Sequence, residues 1–140
     1  MISRTGTHAV LALSALARSE PGNYAGAADI AREIGAPRNY LGKLLRILAD
    51  KGLVQSQKGK GGGFRLSRDP ARITLLEVME PIEKISRWSR CFLGSGRCSE
   101  RSPCAVHERW KRVREAYLRF LKETSVADLA ERISARSGSG

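Results

Sequence analysis

The run Gly59-Lys60-Gly61-Gly62-Gly63 places four glycines in five positions, between the short segments Leu53-Val54-Gln55-Ser56 and Phe64-Arg65-Leu66-Ser67. Glycine lacks the Cβ that restricts backbone angles, so such a run closes a hairpin between two strands. Immediately upstream, Leu41, Leu44, Leu45 and Leu48 recur at three- and four-residue steps, the spacing of one face of a helix. Gly52, just after Lys51, suits the left-handed position that ends a helix. An amphipathic helix that runs straight into a glycine-tipped hairpin leaves few architectures open.

The segments before it narrow the choice. Ala9-Val10-Leu11-Ala12-Leu13 and Ala15-Leu16-Ala17 predict a first helix, which Glu20-Pro21-Gly22-Asn23 ends. A second begins near Ala27, carries Ile30, Ala31 and Ile34, and stops at Gly35. Pro37 suits the first turn of the third helix. Two helices joined by a tight glycine-containing turn, followed by a hairpin, make a winged helix-turn-helix whose third helix would enter a major groove.

Downstream, Ile73-Thr74-Leu75-Leu76-Glu77-Val78-Met79 begins another helix after Asp69-Pro70. A long helix over about 103–124 carries Val106, Trp110, Val113, Tyr117, Phe120 and Leu121 on one face and Arg109, Lys111, Arg112, Arg114, Glu115 and Arg119 on the other. Twenty helical residues span ~30 Å, more than a small winged helix can cover. The stripe therefore predicts a dimerisation helix, with Trp110, Val113, Tyr117 and Phe120 in the interface. A short helix over 126–134 and a frayed tail at 135–140 follow. The expected fold is mainly α with a small β-wing. Its parts are a DNA-binding region (1–70), a ligand-loop and dimerisation region (71–134) and the tail.

Charge points to the partner. The 140 residues carry a net charge of +11, and within 38–68 eight bases face a single acid, Asp50. That clustering fits a polyanion better than a merely solubilised surface. Arg38, Asn39, Tyr40 and Lys43 on the third helix, with Lys58, Gly59 and Lys60 in the wing, are the candidate DNA contacts. Asn39 and Lys43 share a helix face, and their side chains suit adenine and guanine edges in the major groove. Wing lysines can neutralise phosphate or enter a minor groove. A nucleotide phosphate loop is excluded, because Lys60 precedes a glycine and a strand rather than Ser/Thr and a helix. No nucleophile–base–acid set or paired carboxylates suggest an enzyme. There is no signal peptide or membrane-length apolar run, and an odd cysteine count argues against a disulfide framework, so the expected location is cytoplasmic.

All three cysteines and one histidine fall in a single segment as Cys91-x6-Cys98-x5-Cys104-x2-His107. Thiolates hold zinc or iron–sulfur clusters, and imidazole can complete either set. Ser102-Pro103 predicts a helix start, putting Cys104 in the opening turn where the dipole favours thiolate, with His107 facing the same way. Zinc sites usually come as two close pairs, and the wide gaps here leave room for a bulkier cluster. Iron–sulfur, zinc, a thiol redox switch and inert cysteines all remain open from this chemistry.

At this point the chain resembles the IscR/NsrR-like winged-helix transcription regulators, the Rrf-two family. The resemblance runs from Gly6-Thr7-His8-Ala9-Val10 to about Leu129. It rests on Tyr40-Leu41 with Leu44-Leu45, Lys51-Gly52-Leu53-Val54, Gly59-Lys60-Gly61-Gly62-Gly63-Phe64, and Cys104-Ala105-Val106-His107 with Trp110. It implies a homodimeric regulator, usually a repressor, on a palindromic operator, with an iron–sulfur cluster on Cys91, Cys98 and Cys104. His107 matches the fourth ligand of relatives with a 2Fe–2S cluster. Relatives with 4Fe–4S can draw that ligand from the other subunit's first helix, where Thr7 stands here with His8 beside it. This favours 2Fe–2S. The first cysteine gap is six residues where five is common, Lys58 and Lys60 replace frequent arginine and proline, and Gly42 lies in the third helix. Target sequence is therefore not carried over. The alternative function is a zinc- or thiol-redox-dependent winged-helix protein on DNA or RNA.

Overall fold

The computed structural model describes residues 3–20, 22–85 and 105–131. In chain order it contains α1 (Arg4–Arg18), α2 (Ala27–Ile34), α3 (Arg38–Asp50), β1 (Val54–Gln57), β2 (Gly63–Leu66), a 3-10 turn (Pro70–Arg72), α4 (Leu75–Glu83) and α5 (His107–Glu123). Residues 126–131 are again helical. This is the mainly helical fold with a two-stranded antiparallel wing that the sequence predicts. Among the described residues, no helix is long and apolar enough to cross a membrane.

The helix ends follow local chemistry. Ser3 caps α1 through its hydroxyl, which accepts from the Gly6 amide at 3.1 Å, while its own amide donates to Glu83 at 2.7 Å. Gly35 ends α2 in the left-handed conformation (φ 73°) and Gly52 does the same past α3 (φ 77°). Pro37 is the residue before α3 rather than in its first turn. The strands also sit slightly off expectation: each shifts by one residue, to pair Val54 with Leu66 and Gln57 with Gly63. α4 starts at Leu75, later than expected, because Ile73 is extended and the Thr74 hydroxyl accepts from the Glu77 amide.

A single apolar core joins the helices and the wing. Leu13 and Ala12 of α1, Leu41, Leu45 and Leu48 of α3, Val78 and Met79 of α4, Leu121 of α5 and Val126 are almost completely buried. Each fully buried leucine contributes ~1.5–3 kcal/mol, so this face of α3 holds the helix firmly to α1 and α2. Two backbone bonds then pin the end of α5 to the start of α4: the Leu75 amide donates to Thr124 at 2.9 Å, and the Val126 amide donates to Ile73 at 2.9 Å. Ser125 and Asp128 exchange amide bonds that start the last helical stretch. α5 begins at His107, not near 103, and the expected start at Ser102-Pro103 lies outside the described residues.

Candidate nucleic-acid interface and metal-ligand segment

The face of α3 opposite its buried leucines is solvent-exposed and carries Asn39, Lys43, Arg46 and Asp50, with Arg38 exposed at its first position. Sequence reasoning assigned Arg38, Asn39, Tyr40 and Lys43 here and left out Arg46. Its signal was available, since Arg46 lies three residues after Lys43 and seven after Asn39, which is one helical face. Among the described residues, Arg38, Lys43, Arg46, Lys58 and Lys60 form no ion pair or side-chain hydrogen bond within the protein. Their charge is available to an outside anion.

The wing is held at a fixed distance from this helix. Ala25, just before α2, forms a bridge with Phe64 of β2 through two backbone bonds of 2.8 Å, one in each direction. Arg65 adds three ties: its guanidinium lies 4.7 Å from the centre of the Tyr24 ring, donates to Gln55 at 2.9 Å and reaches the Gly22 carbonyl at 3.3 Å. A groove of about 540 Å³ separates α3 from the wing, lined by Arg46 and Asp50 on one side and Lys58, Gly63 and Phe64 on the other. Lys58 and Lys60 are exposed, Lys60 within a turn closed by the Gly62 amide donating to Gly59 at 3.0 Å.

Two glycines at the base of that loop have no substitute. A Cβ on Gly62 would lie 2.2 Å from the Gln57 carbonyl oxygen, and one on Gly63 (φ 140°) would lie 2.4 Å from that of Ala25. Gly63→Ala is therefore expected to break or displace the Ala25–Phe64 bridge and destabilise the fold by ~1–3 kcal/mol, read from the midpoint of urea unfolding. An unchanged midpoint would show that the bridge yields without strain.

Tyr40, in the first turn of α3, meets α1. Its hydroxyl lies 3.2 Å from Nδ1 of His8, and the two rings are edge-to-face with centroids 5.4 Å apart. His8 is half-buried, and its contact with Tyr40 spans 32 positions and carries no sequence signal.

The metal-ligand segment is described only at its end. Cys91, Cys98 and Cys104 lie outside the described residues, as does the expected placement of Cys104 in a helical turn. His107 is the first residue of α5 and 4% exposed, with Nε2 4.0 Å from the Glu108 carboxylate. Further along α5, Val113 and Phe120 are 47% and 50% exposed, and Phe120 stacks on Tyr117 at 6.2 Å. Trp110 is half-buried, and Leu121 points into the core. Burial, then the nearby Glu83 carboxylate, holds the Tyr117 hydroxyl above its ordinary pKa, so it stays neutral.

Comparison with known proteins agrees with this geometry. Residues 2–132 match the Rrf2 family, described as an iron-dependent transcriptional regulator. A protein of Aquifex aeolicus assigned as an HTH-type transcriptional regulator is 32% identical over 131 residues, which is 92% of this chain and 90% of that protein. The HTH-type transcriptional regulator IscR of Klebsiella pneumoniae is 30% identical over 128 residues, 91% of this chain and 78% of its own. Among solved structures, CymR, the global cysteine regulator of B. subtilis, superposes with a TM-score of 0.79 at 27% identity, covering 94% of this chain and 97% of that one.

Proposed function

This chain belongs to the Rrf2 family of transcriptional regulators, and we propose that it works in the cytoplasm as a homodimeric repressor on a palindromic operator, its binding governed by an iron–sulfur cluster. The observation that carries the DNA reading is the exposed, internally unpaired set of Arg38, Lys43, Arg46, Lys58 and Lys60, fixed on one rigid unit of α3 and wing. Asn39 and Lys43 read base edges, Arg38 and Arg46 meet phosphates or bases, Tyr40 sets the first turn, and Lys58, Gly59 and Lys60 follow the backbone of the duplex.

The second copy is supported by Val113 and Phe120, two large apolar side chains left half-exposed on a helix whose neighbouring positions hold Trp110 and Tyr117. A stripe of this kind on a lone chain is a sticky patch, and a second α5 covers it. In this reading residues 1–70 contact DNA and 71–134 hold the cluster and the dimer.

The donor set fits a cluster. Cys91, Cys98 and Cys104 supply three thiolates, and His107 supplies an imidazole that α5 keeps away from water. When bound, the cluster supplies iron chemistry that responds to redox state or to small diatomic molecules. With His107 as fourth ligand the cluster is 2Fe–2S. Zinc or a free thiol switch in the same residues is the second reading, and iron and sulfide analysis of anaerobically purified protein separates them.

The DNA assignment is tested by selecting operators from a random pool, then measuring variants. Lys58→Ala and Lys60→Ala are expected to weaken operator and random duplex alike, each reducing the salt slope by about two, one for each subunit. Asn39→Ala is expected to cost ~1–3 kcal/mol per half-site and to relax preference at one base pair of each half-site. The same loss from all three on both kinds of DNA would remove Asn39 from base reading.

A further inference from the structure

We propose that His8 is a positioning residue for DNA recognition: by holding Tyr40 it fixes the rotation of the first turn of α3 and so sets operator selectivity. The inference rests on reading α3 as the recognition helix, and its test distinguishes the two.

α3 begins without a side-chain cap, because Pro37 precedes it and offers none. Its buried ties are Leu41, Leu44, Leu45 and Leu48. Apolar packing of this kind sets how close the helix lies to the core but is non-directional, so it constrains rotation about the helix axis less. Among the described residues, the Tyr40–His8 pair is the one side-chain hydrogen bond or ion pair that α3 makes to another element. It is directional twice over, through the 3.2 Å contact and the edge-to-face rings at 71°. Both residues are half-buried, so water competes weakly for the bond.

Tyr40 is next to Asn39 and one turn from Lys43. A small rotation of this turn moves both side chains relative to the bases. Base-edge hydrogen bonds weaken steeply as alignment is lost, whereas phosphate contacts of exposed lysines tolerate such shifts. Loss of the His8 tie should therefore reduce selectivity and leave general DNA affinity in place.

The test uses the full-length chain, an operator selected with the wild type, and a random duplex at the same salt. His8→Phe keeps a ring and removes the hydrogen bond, and Tyr40→Phe removes the hydroxyl alone. Each is expected to lower the operator-to-random affinity ratio about five- to ten-fold, and His8→Phe, which lies outside the proposed DNA-contacting set, is expected to leave random-duplex affinity unchanged. The double variant should lose no more than either single one, and His8→Gln, whose carbonyl can accept from the hydroxyl, should recover most of the ratio. A wild-type ratio in His8→Phe, additive losses in the double variant, or equal losses on both duplexes would overturn the inference while leaving α3 as the reading helix. A wild type with no preference for any duplex would overturn the recognition-helix reading and this inference with it.

Discussion

Raising salt from roughly 50 to 200 mM is expected to weaken operator binding by about 10³–10⁵-fold, provided that the dimer engages ~6–10 phosphates. That count follows from two copies of the same exposed set. Arg38, Arg46, Lys58 and Lys60 stand free of internal carboxylate partners on each chain, so neutralising phosphate releases counterions without first breaking a salt bridge. Arg18, Arg32 and Arg68 differ, since each already pairs with Glu33, Asp29 or Glu77. A plot of log Kd against log salt checks the expectation. A slope near zero would show that the basic surface does not meet the duplex, whatever the fold.

The second large effect concerns the cysteine segment. Cys91→Ala, Cys98→Ala and Cys104→Ala are each expected to abolish the cluster and to change operator affinity at least about tenfold, a coupling of ~1.4 kcal/mol. The physical reason is chain closure. A centre held by these ligands would close the chain between α4, which ends at Glu83, and α5, which begins at His107. α4 packs on α1, and α1 carries His8 against Tyr40 of α3, so a change in how α4 and α5 are joined would reach the proposed DNA-contacting face through packed elements. His107→Ala should leave a weakened or altered cluster, because three thiolates remain. Equal operator affinities, measured without oxygen against a wild type loaded with iron and sulfide, would sink cluster control and leave DNA binding standing.

What could be read from the residues was what short-range chemistry decides. The leucine spacing of α3, the left-handed glycines at Gly35 and Gly52 and the glycine-tipped hairpin are local patterns, and the fold contains them with ends displaced by a residue or a few. The displaced start of α4 was itself legible: Thr74 with Glu77 three residues on is a capping pattern, overridden in the sequence reading by the apolar run that spans it. The exposed bases of the interface were legible because they cluster in sequence, and Arg46 needed only the helical period. The Ala25–Phe64 bridge and the His8–Tyr40 contact were not, since each joins residues more than thirty positions apart by geometry that no local spacing encodes. The ligand assignment to Cys91, Cys98 and Cys104 remains a matter of residue chemistry, as those positions lie outside the described residues.

The hairpin tip separates the residues that hold the turn from those that can vary. Gly62 and Gly63 are locked by neighbouring carbonyl oxygens, and Gly59 and Gly61 by left-handed backbone angles. Lys58, just before the first of them, and Lys60, between Gly59 and Gly61, are exposed. Frame and cargo thus alternate along the loop. Side chains at 58 and 60 can be exchanged, in charge or in length, without disturbing the turn that presents them. If those two side chains meet phosphate as proposed, the strength of DNA binding can diverge there while the glycines keep the stability of the domain.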